Sequence, residues 1–190
     1  MRNSKRICAL LALVLSATIA FAQTGMQVKQ NNAVAEQAAM DKLQEAWSSF
    51  ADALLQQDTA RLRSLSATTV RCDVCPIDTI LPGNASAEEY NKRKLMPFHD
   101  FLKKAPQLFY PATLSRLKDT SKLMFTDNEH NAALYPLSGI PKAIRLNHPR
   151  YKEVLLTVVD PSADYEGAQQ AFAFVETKDG FKFCGYSTIP

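Results

Sequence analysis

The sequence predicts an α+β fold: helices in the first half, then a run of antiparallel strands on which they pack. Three observations carry that reading. Met40, Leu43, Trp47, Phe50 and Leu54 recur at three- and four-residue steps, which lays one apolar stripe along a helix. Gln170–Thr177 and Phe181–Ser187 alternate on either side of Lys178-Asp179-Gly180, a strand–turn–strand pattern. Between the halves, Thr69–Val74 holds the β-branched Thr69, Val70 and Val74 and reads as a strand.

Residues 1–22 read as a signal peptide and stand apart from the fold. Arg2, Lys5 and Arg6 precede an apolar run from Ile7 to Ile19, and Ala20-Phe21-Ala22 supplies a small-x-small cleavage site. The run falls short of the ~20 apolar residues of a membrane span, and no later segment reaches that length. The expected address is therefore the periplasm or the exterior, after cleavage near Ala22. The 190-residue chain has a formal charge of +3, and its leader holds three basic and no acidic residues. The mature form then carries 19 of each sign, which argues against nucleic acid or an anionic membrane as partner. Gln23–Asn32 is polar and unpatterned, a flexible lead-in. Residues 33–190 suit one domain with a sizeable core.

The elements follow in order. A long helix spans roughly 33–57, with Asn32 placed to cap it, and Asp58 caps a short helix that buries Leu62 and Leu65. After the Thr69–Val74 strand, Pro82-Gly83-Asn84 marks a turn, and Ser86-x-x-Glu89 is a capping box opening another helix. That helix should break near Met96, with Pro97 starting a follow-on piece that carries Phe98, Phe101 and Leu102. Pro106 and Pro111 mark its exit. Strands are expected at Lys122–Thr126, Ala143–Leu146, Glu153–Val159, Gln170–Thr177 and Phe181–Ser187. With Asp179-Gly180 as the loop, Glu176 lies opposite Phe183 and Val175 opposite Cys184. Phe172, Phe174 and Phe183 then share the face toward the helices, and Ala173, Val175, Cys184 and Tyr186 share the other.

The run from Glu45 to Asp58 (EAWSSFADALLQQD), followed by Leu62 and Leu65, resembles the opening of NTF2-like domains, where a long helix ends at an acidic residue and a short helix follows. The closing run from Phe172 to Phe183 (FAFVETKDGFKF) is similar to the terminal hairpin of that superfamily. The resemblance covers about 30 residues at the start and 35 at the end. It implies a curved sheet wrapped around the long helix as a cone, often with an apolar pocket, and dimerisation through the sheet. On that basis Trp47, Phe50, Tyr90, Tyr135, Phe172 and Phe174 are the candidate lining of a ligand pocket. The superfamily hosts isomerases, dehydratases and many non-catalytic binding modules, so fold does not settle function.

The chemistry-bearing residues narrow the choice. An isomerase- or hydrolase-like enzyme needs a carboxylate in an apolar cavity with a polarising group opposite. Asp73, Asp127, Glu129, Asp160 and Glu176 are available carboxylates, Tyr90 and Tyr135 could polarise, and none sits in a recognisable catalytic pattern. Gly-x-Ser-x-Gly, a phosphate-cradling glycine loop and His-Glu-x-x-His are absent from the sequence, and no catalytic residue, metal site or cofactor is assigned. The favoured reading is an exported module that binds a small apolar molecule or a protein. The mature cysteines are Cys72, Cys75 and Cys184. In an extended strand Cys72 and Cys75 stand ~10 Å apart at Cα, beyond the ~7 Å a disulfide tolerates, so bridging them demands a turn at Asp73-Val74. A bridge from either to Cys184 demands only that the first and last strands approach, and is the expected pairing.

Overall fold

The computed structural model describes residues 33–75 and 86–189. The expected signal peptide, the 23–32 lead-in and the Pro82-Gly83-Asn84 turn lie outside the described residues. The chain divides into two compact units, Met1–Asp41 and Lys42–Pro190. In the first, residues 33–41 are helical, and Gln37 Nε2 donates to Asp41 Oδ1 at 2.9 Å across one helical turn.

The second unit is α+β, with helices packed on a six-stranded sheet. Helix α1 (33–55), of which residues 42–55 belong to this unit, buries Leu43, Trp47, Phe50 and Leu54 of the predicted stripe, whereas Met40 is only half-buried. Gln57, at φ 54°, turns the chain, and Asp58 caps α2 (Thr59–Ser64) by accepting from the Arg61 amide at 2.9 Å. Strand β1 (Ser66–Cys72) follows. The capping box at Ser86 and Glu89 opens α3 (Ala87–Arg93), and β2 (Leu95–Pro97) returns along β1 before α4 (Phe98–Leu108). The exit expected at Pro106 and Pro111 is where α4 ends, at Leu108: Pro106 lies within its last turn, and Pro111 is the first residue of α5 (Pro111–Arg116). Its missing N–H is one that a first helical turn leaves unbonded anyway. Strands β3 (Leu123–Asp127), β4 (Tyr151–Val159), β5 (Ala168–Thr177) and β6 (Gly180–Ile189) complete the sheet. The strand expected at Ala143–Leu146 is a turn. The Ile144 amide bonds back to Pro141 O at 3.1 Å, and only an isolated bridge, Arg145 to Thr177, joins the segment to the sheet.

The strand order is β2-β1-β6-β5-β4-β3, an open sheet with β2 and β3 at its edges. It is mixed, not wholly antiparallel, because β1 runs parallel to β6. After β2 has taken one side of β1, three antiparallel steps from β3 bring the chain back to the other side in the same sense as β1.

The hairpin loop is Lys178-Asp179, one residue earlier than expected, so Glu176 pairs with Phe181 and Val175 with Lys182. Gly180 closes the turn at φ +101°, a conformation that suits glycine, and pairs with Thr177. The displacement is two residues along β6, which by itself moves no side chain to the other face. Phe172, Phe174 and Phe183 do share the helix side. Tyr186 is the exception: a bulge at Cys184, between the pairs Phe174–Phe183 and Ala173–Gly185, turns Tyr186 to the helix side as well. There it meets Phe101, Phe109 and Phe172 at ring-centroid distances of 6.1, 5.3 and 5.3 Å.

The same bulge explains the cysteines. Cys72 pairs with Tyr186 and so lies on the helix side, while Cys184 faces the other way. The expected bridge to Cys184 would have to pass through the sheet. Instead the chain bends at residues 73–75, bringing the Cys72 and Cys75 Cα atoms to 5.4 Å, and these two are bridged. Cys184 is a buried free thiol. Removing the bridge with Cys72→Ser and Cys75→Ser together should lower the unfolding free energy in urea titrations by up to about 2 kcal/mol, the chain-entropy value for so short a loop. Mass spectrometry of unreduced protein should find Cys72 joined to Cys75 and Cys184 unpaired.

Candidate functional site

The helix side of the sheet is filled by aromatic rings. Phe50 stacks on Phe183 at 4.7 Å, Trp47 meets Phe172 edge-on at 4.9 Å, and Phe109 stacks on Phe172 at 5.8 Å. Of the six residues predicted to line a pocket, Trp47, Phe50, Phe172 and Phe174 come together in this cluster. Phe50, Phe172 and Phe174 are enclosed within it, and only Trp47 reaches an opening. Tyr90 stands on exposed α3, where the Lys94 ammonium sits 4.7 Å from its ring centre. Tyr135 lies on the far side of the sheet.

The opening is a groove of about 490 Å³ between α1 and β3. Trp47, Ser48 and Ala51 line it from the helix, and Leu123 and Phe125 from the strand. Leu117 completes the apolar lining, and its carbonyl accepts from Trp47 Nε1 at 3.1 Å, so the indole is held from both ends. Lys118 brings a charge to the rim, but its Nζ is bound to Asp52 Oδ1 at 2.8 Å. That bond holds the Asp52 carboxyl below the usual carboxylate range. Gln44, Ser48 and Thr120 are neutral groups at the mouth. The groove therefore offers an apolar slot with hydrogen-bonding groups at its edge.

The candidate carboxylates are engaged elsewhere. Asp160 takes Arg116 and Lys122, and Glu176 takes a two-pronged bond from Arg150 with both distances 2.8 Å. Those bonds hold Glu176 below its ordinary range. Burial pushes Asp73 up, but the bonds and charges of Arg71 and Lys94 outweigh it and leave the carboxyl lowered. Asp127 accepts from the Lys152 ammonium, whose side chain is buried on the helix side of β4. Glu129 Oε1 accepts from the Tyr151 amide at 3.0 Å.

A second cluster occupies the other face of the sheet. Residues 128–140 cross that face as a strap containing two 3₁₀ turns, Glu129–Leu134 and Leu137–Gly139. Asn128 anchors one end: its backbone N–H donates to Tyr151 O at 2.9 Å, and its side-chain oxygen accepts from Asn131 at 2.7 Å. That contact orients the amide, so Nδ2 donates to both Tyr135 Oη and Glu153 Oε1, each at 3.3 Å. The Tyr135 ring stacks on Tyr151 at 5.9 Å and presses on Gly185, where an added Cβ would lie 2.4 Å from Cε1. At the other end Gly139 lies against the Thr69 backbone, and its carbonyl accepts from Thr68 Oγ1 at 3.0 Å. Burial raises the Glu153 carboxyl above the usual range, with the charge of His130 opposing it, and pushes the Tyr151 phenol up to about 12. Burial likewise lifts Cys184 and Tyr135.

Sequence reasoning did not single out Leu117, Leu123, Phe125, Asn128 or Glu153 as site residues. Alternation along Leu123–Asp127 places Leu123 and Phe125 on one face, but nothing local says that α1 lies opposite. Glu153 likewise alternates with Val154, yet the strap that half-buries it comes from another segment. Neither a known family model nor a curated protein matches the chain.

The raised carboxyl of Glu153 has a pH signature. The folded form keeps a proton that the unfolded form loses at about pH 4.3, so this group's stability is full below that pH and is lost as pH rises through the folded value. Glu153→Gln should therefore match the wild type at about pH 4 and exceed it at pH 7, as read by urea titration at both. Gly185→Ala should cost about 1–3 kcal/mol at either pH, since the new methyl must displace the Tyr135 ring.

Proposed function

We propose that the protein is an exported binding module of the NTF2-like type that holds a small, neutral, largely apolar molecule in the groove between α1 and β3. The groove's chemistry carries this reading. Its walls are Trp47, Ala51, Leu117, Leu123 and Phe125, and its one charged residue, Lys118, is neutralised by Asp52. A ligand entering there buries apolar surface without uncovering an unpaired charge.

The long helix against an open six-stranded sheet, closed by a hairpin, supports the family assignment. The leader-like first 22 residues and the Cys72–Cys75 bridge support export, since disulfides persist in oxidising compartments. The enzymatic alternative would use a carboxylate on the helix side of the sheet. Asp127, which β3 presents there, is bound to Lys152, and this favours the binding reading. Dimerisation through the sheet, implied by the resemblance, would have to use surface that the helices and the strap leave open.

Trp47 is the chain's single tryptophan, so its emission reports directly on the groove. Titration with n-octanol should shift that emission saturably, and octanoate of the same chain length should bind more weakly. Ser48→Phe, which fills the mouth from an exposed helix position, should weaken octanol binding at least ~10-fold, about 1.4 kcal/mol, with unchanged circular dichroism. A linear, non-saturating response, or equal affinity in Ser48→Phe, would remove the groove from consideration.

A further inference from the structure

The two edges of the sheet differ, and the groove opens at one of them. We propose that β3 pairs antiparallel with β3 of a second copy about a two-fold axis at Phe125, so that each copy's Phe125 closes the open flank of the other's groove. The pairing uses backbone groups and holds whatever the groove binds.

Backbone geometry leaves β3 ready for a partner. In an antiparallel ladder, alternate residues turn both N–H and C=O toward the same neighbour. The Asn128 N–H donates to Tyr151 O at 2.9 Å, in the register that sets Met124 opposite Leu155 and Thr126 opposite Glu153. Met124, Thr126 and Asn128 therefore direct their backbone groups to β4, and Leu123, Phe125 and Asp127 direct theirs to the free side. Among the described residues no strand lies on that side. The other edge is blunted, because β2 has three residues and ends in Pro97, which has no N–H to offer. Strand β3 has five residues, with neither proline nor lysine, and carries Met124 at 51% exposed. Native proteins guard their edges by such devices, and an unguarded edge is a template for another strand.

The free groups are complementary to themselves. The Leu123 N–H already donates to Thr120 O, so the edge presents an acceptor at Leu123, both groups at Phe125 and a donor at Asp127. Antiparallel pairing about Phe125 sets Phe125 opposite Phe125 and each Asp127 N–H opposite a Leu123 carbonyl. A register centred on Met124 would instead aim the Phe125 carbonyl at a Leu123 N–H that is already bonded. Charge agrees with the first register. Asp127 and Lys118 both have side chains more than half exposed, and Lys118 shares the groove lining with Leu123. Setting Asp127 opposite Leu123 brings each Asp127 toward the Lys118 of the other copy. On the outer face Met124 comes to lie opposite Thr126 and loses its exposure. Leu123 and Phe125 line the groove from the helix side of β3, so a Phe125 directly across the strand pair stands on that same side, beside the open flank.

Sedimentation velocity of the protein without ligand, from micromolar to submillimolar concentration, should show monomer and dimer and nothing larger, since only the blunted β2 edges remain outside. Phe125→Pro removes an N–H that β4 does not use, so it should keep the wild-type circular dichroism and lose the dimer. Met124→Lys leaves the groove lining intact, sets like charges beside the axis, and should raise the dimer dissociation constant roughly 10-fold. Oxidation reads the register. Facing Cα atoms of a hydrogen-bonded antiparallel pair lie about 5.5 Å apart, within disulfide reach, so Phe125→Cys should cross-link to a covalent dimer. The two copies of position 124 are diagonal neighbours at about 7–8 Å, so Met124→Cys should cross-link far more slowly. Cys184 is buried and does not compete. A protein that stays monomeric at submillimolar concentration overturns the proposal. So does a dimer that survives both Phe125→Pro and Met124→Lys, or a Met124→Cys that cross-links as fast as Phe125→Cys.

Discussion

The bulge at Cys184 is the constraint on which the rest of the structure depends. One extra residue in β6 lets Phe183 and Tyr186, three positions apart, both face the helices, where an unbroken strand would send them to opposite sides. Both rings are needed there: Phe183 stacks against Phe50, and Tyr186 fills the space between Phe101, Phe109 and Phe172. The residues between them, Cys184 and Gly185, both turn outward, and the missing side chain at Gly185 is what admits Tyr135 and with it the strap. A single local irregularity thereby completes the core on one face and creates the seat for the strap on the other.

The two faces then take different chemistry. On the helix side, rings interlock closely through the interior of the expected cone, and a groove opens where α1 parts from the edge strand β3. That groove is apolar and its charge is paired, which suits retention of a molecule. On the outer face, polar groups are half-buried against one another, with a carboxyl, two phenols and a thiol raised together by the same loss of solvent. Such a setting disfavours the charged form of each acid in it. The sheet keeps the two kinds of chemistry apart.

Much of the fold was legible locally. The stripe of Leu43, Trp47, Phe50 and Leu54, the cap at Asp58 and the box at Ser86 and Glu89 each depend on residues within one or two helical turns. Faces of the terminal hairpin were legible up to the bulge, and survived an error in its register because that error was two residues and not one, whereas Tyr186, beyond the bulge, took the other face. What escaped was every feature set by a distant neighbour. β2 is three residues long and is a strand only because β1 lies beside it. Leu123 and Phe125 became groove walls because α1 approaches them, and Glu153 became half-buried because the strap crosses β4.

The cysteines show the boundary most clearly. From the sequence alone came most of the elements and most of their faces, because backbone sterics and side-chain periodicity act over a handful of residues. The sequence also stated the condition for a Cys72–Cys75 bridge, a turn at Asp73-Val74, without showing that it is met. Only the tertiary structure met it, by ending β1 at Cys72 and bending the chain into Cys75. It also placed Cys184 behind the sheet, out of reach, through a parallel pairing and a bulge. Which segments pair, and in what register, is settled by the packing of residues far apart in the chain, and no local pattern encodes it.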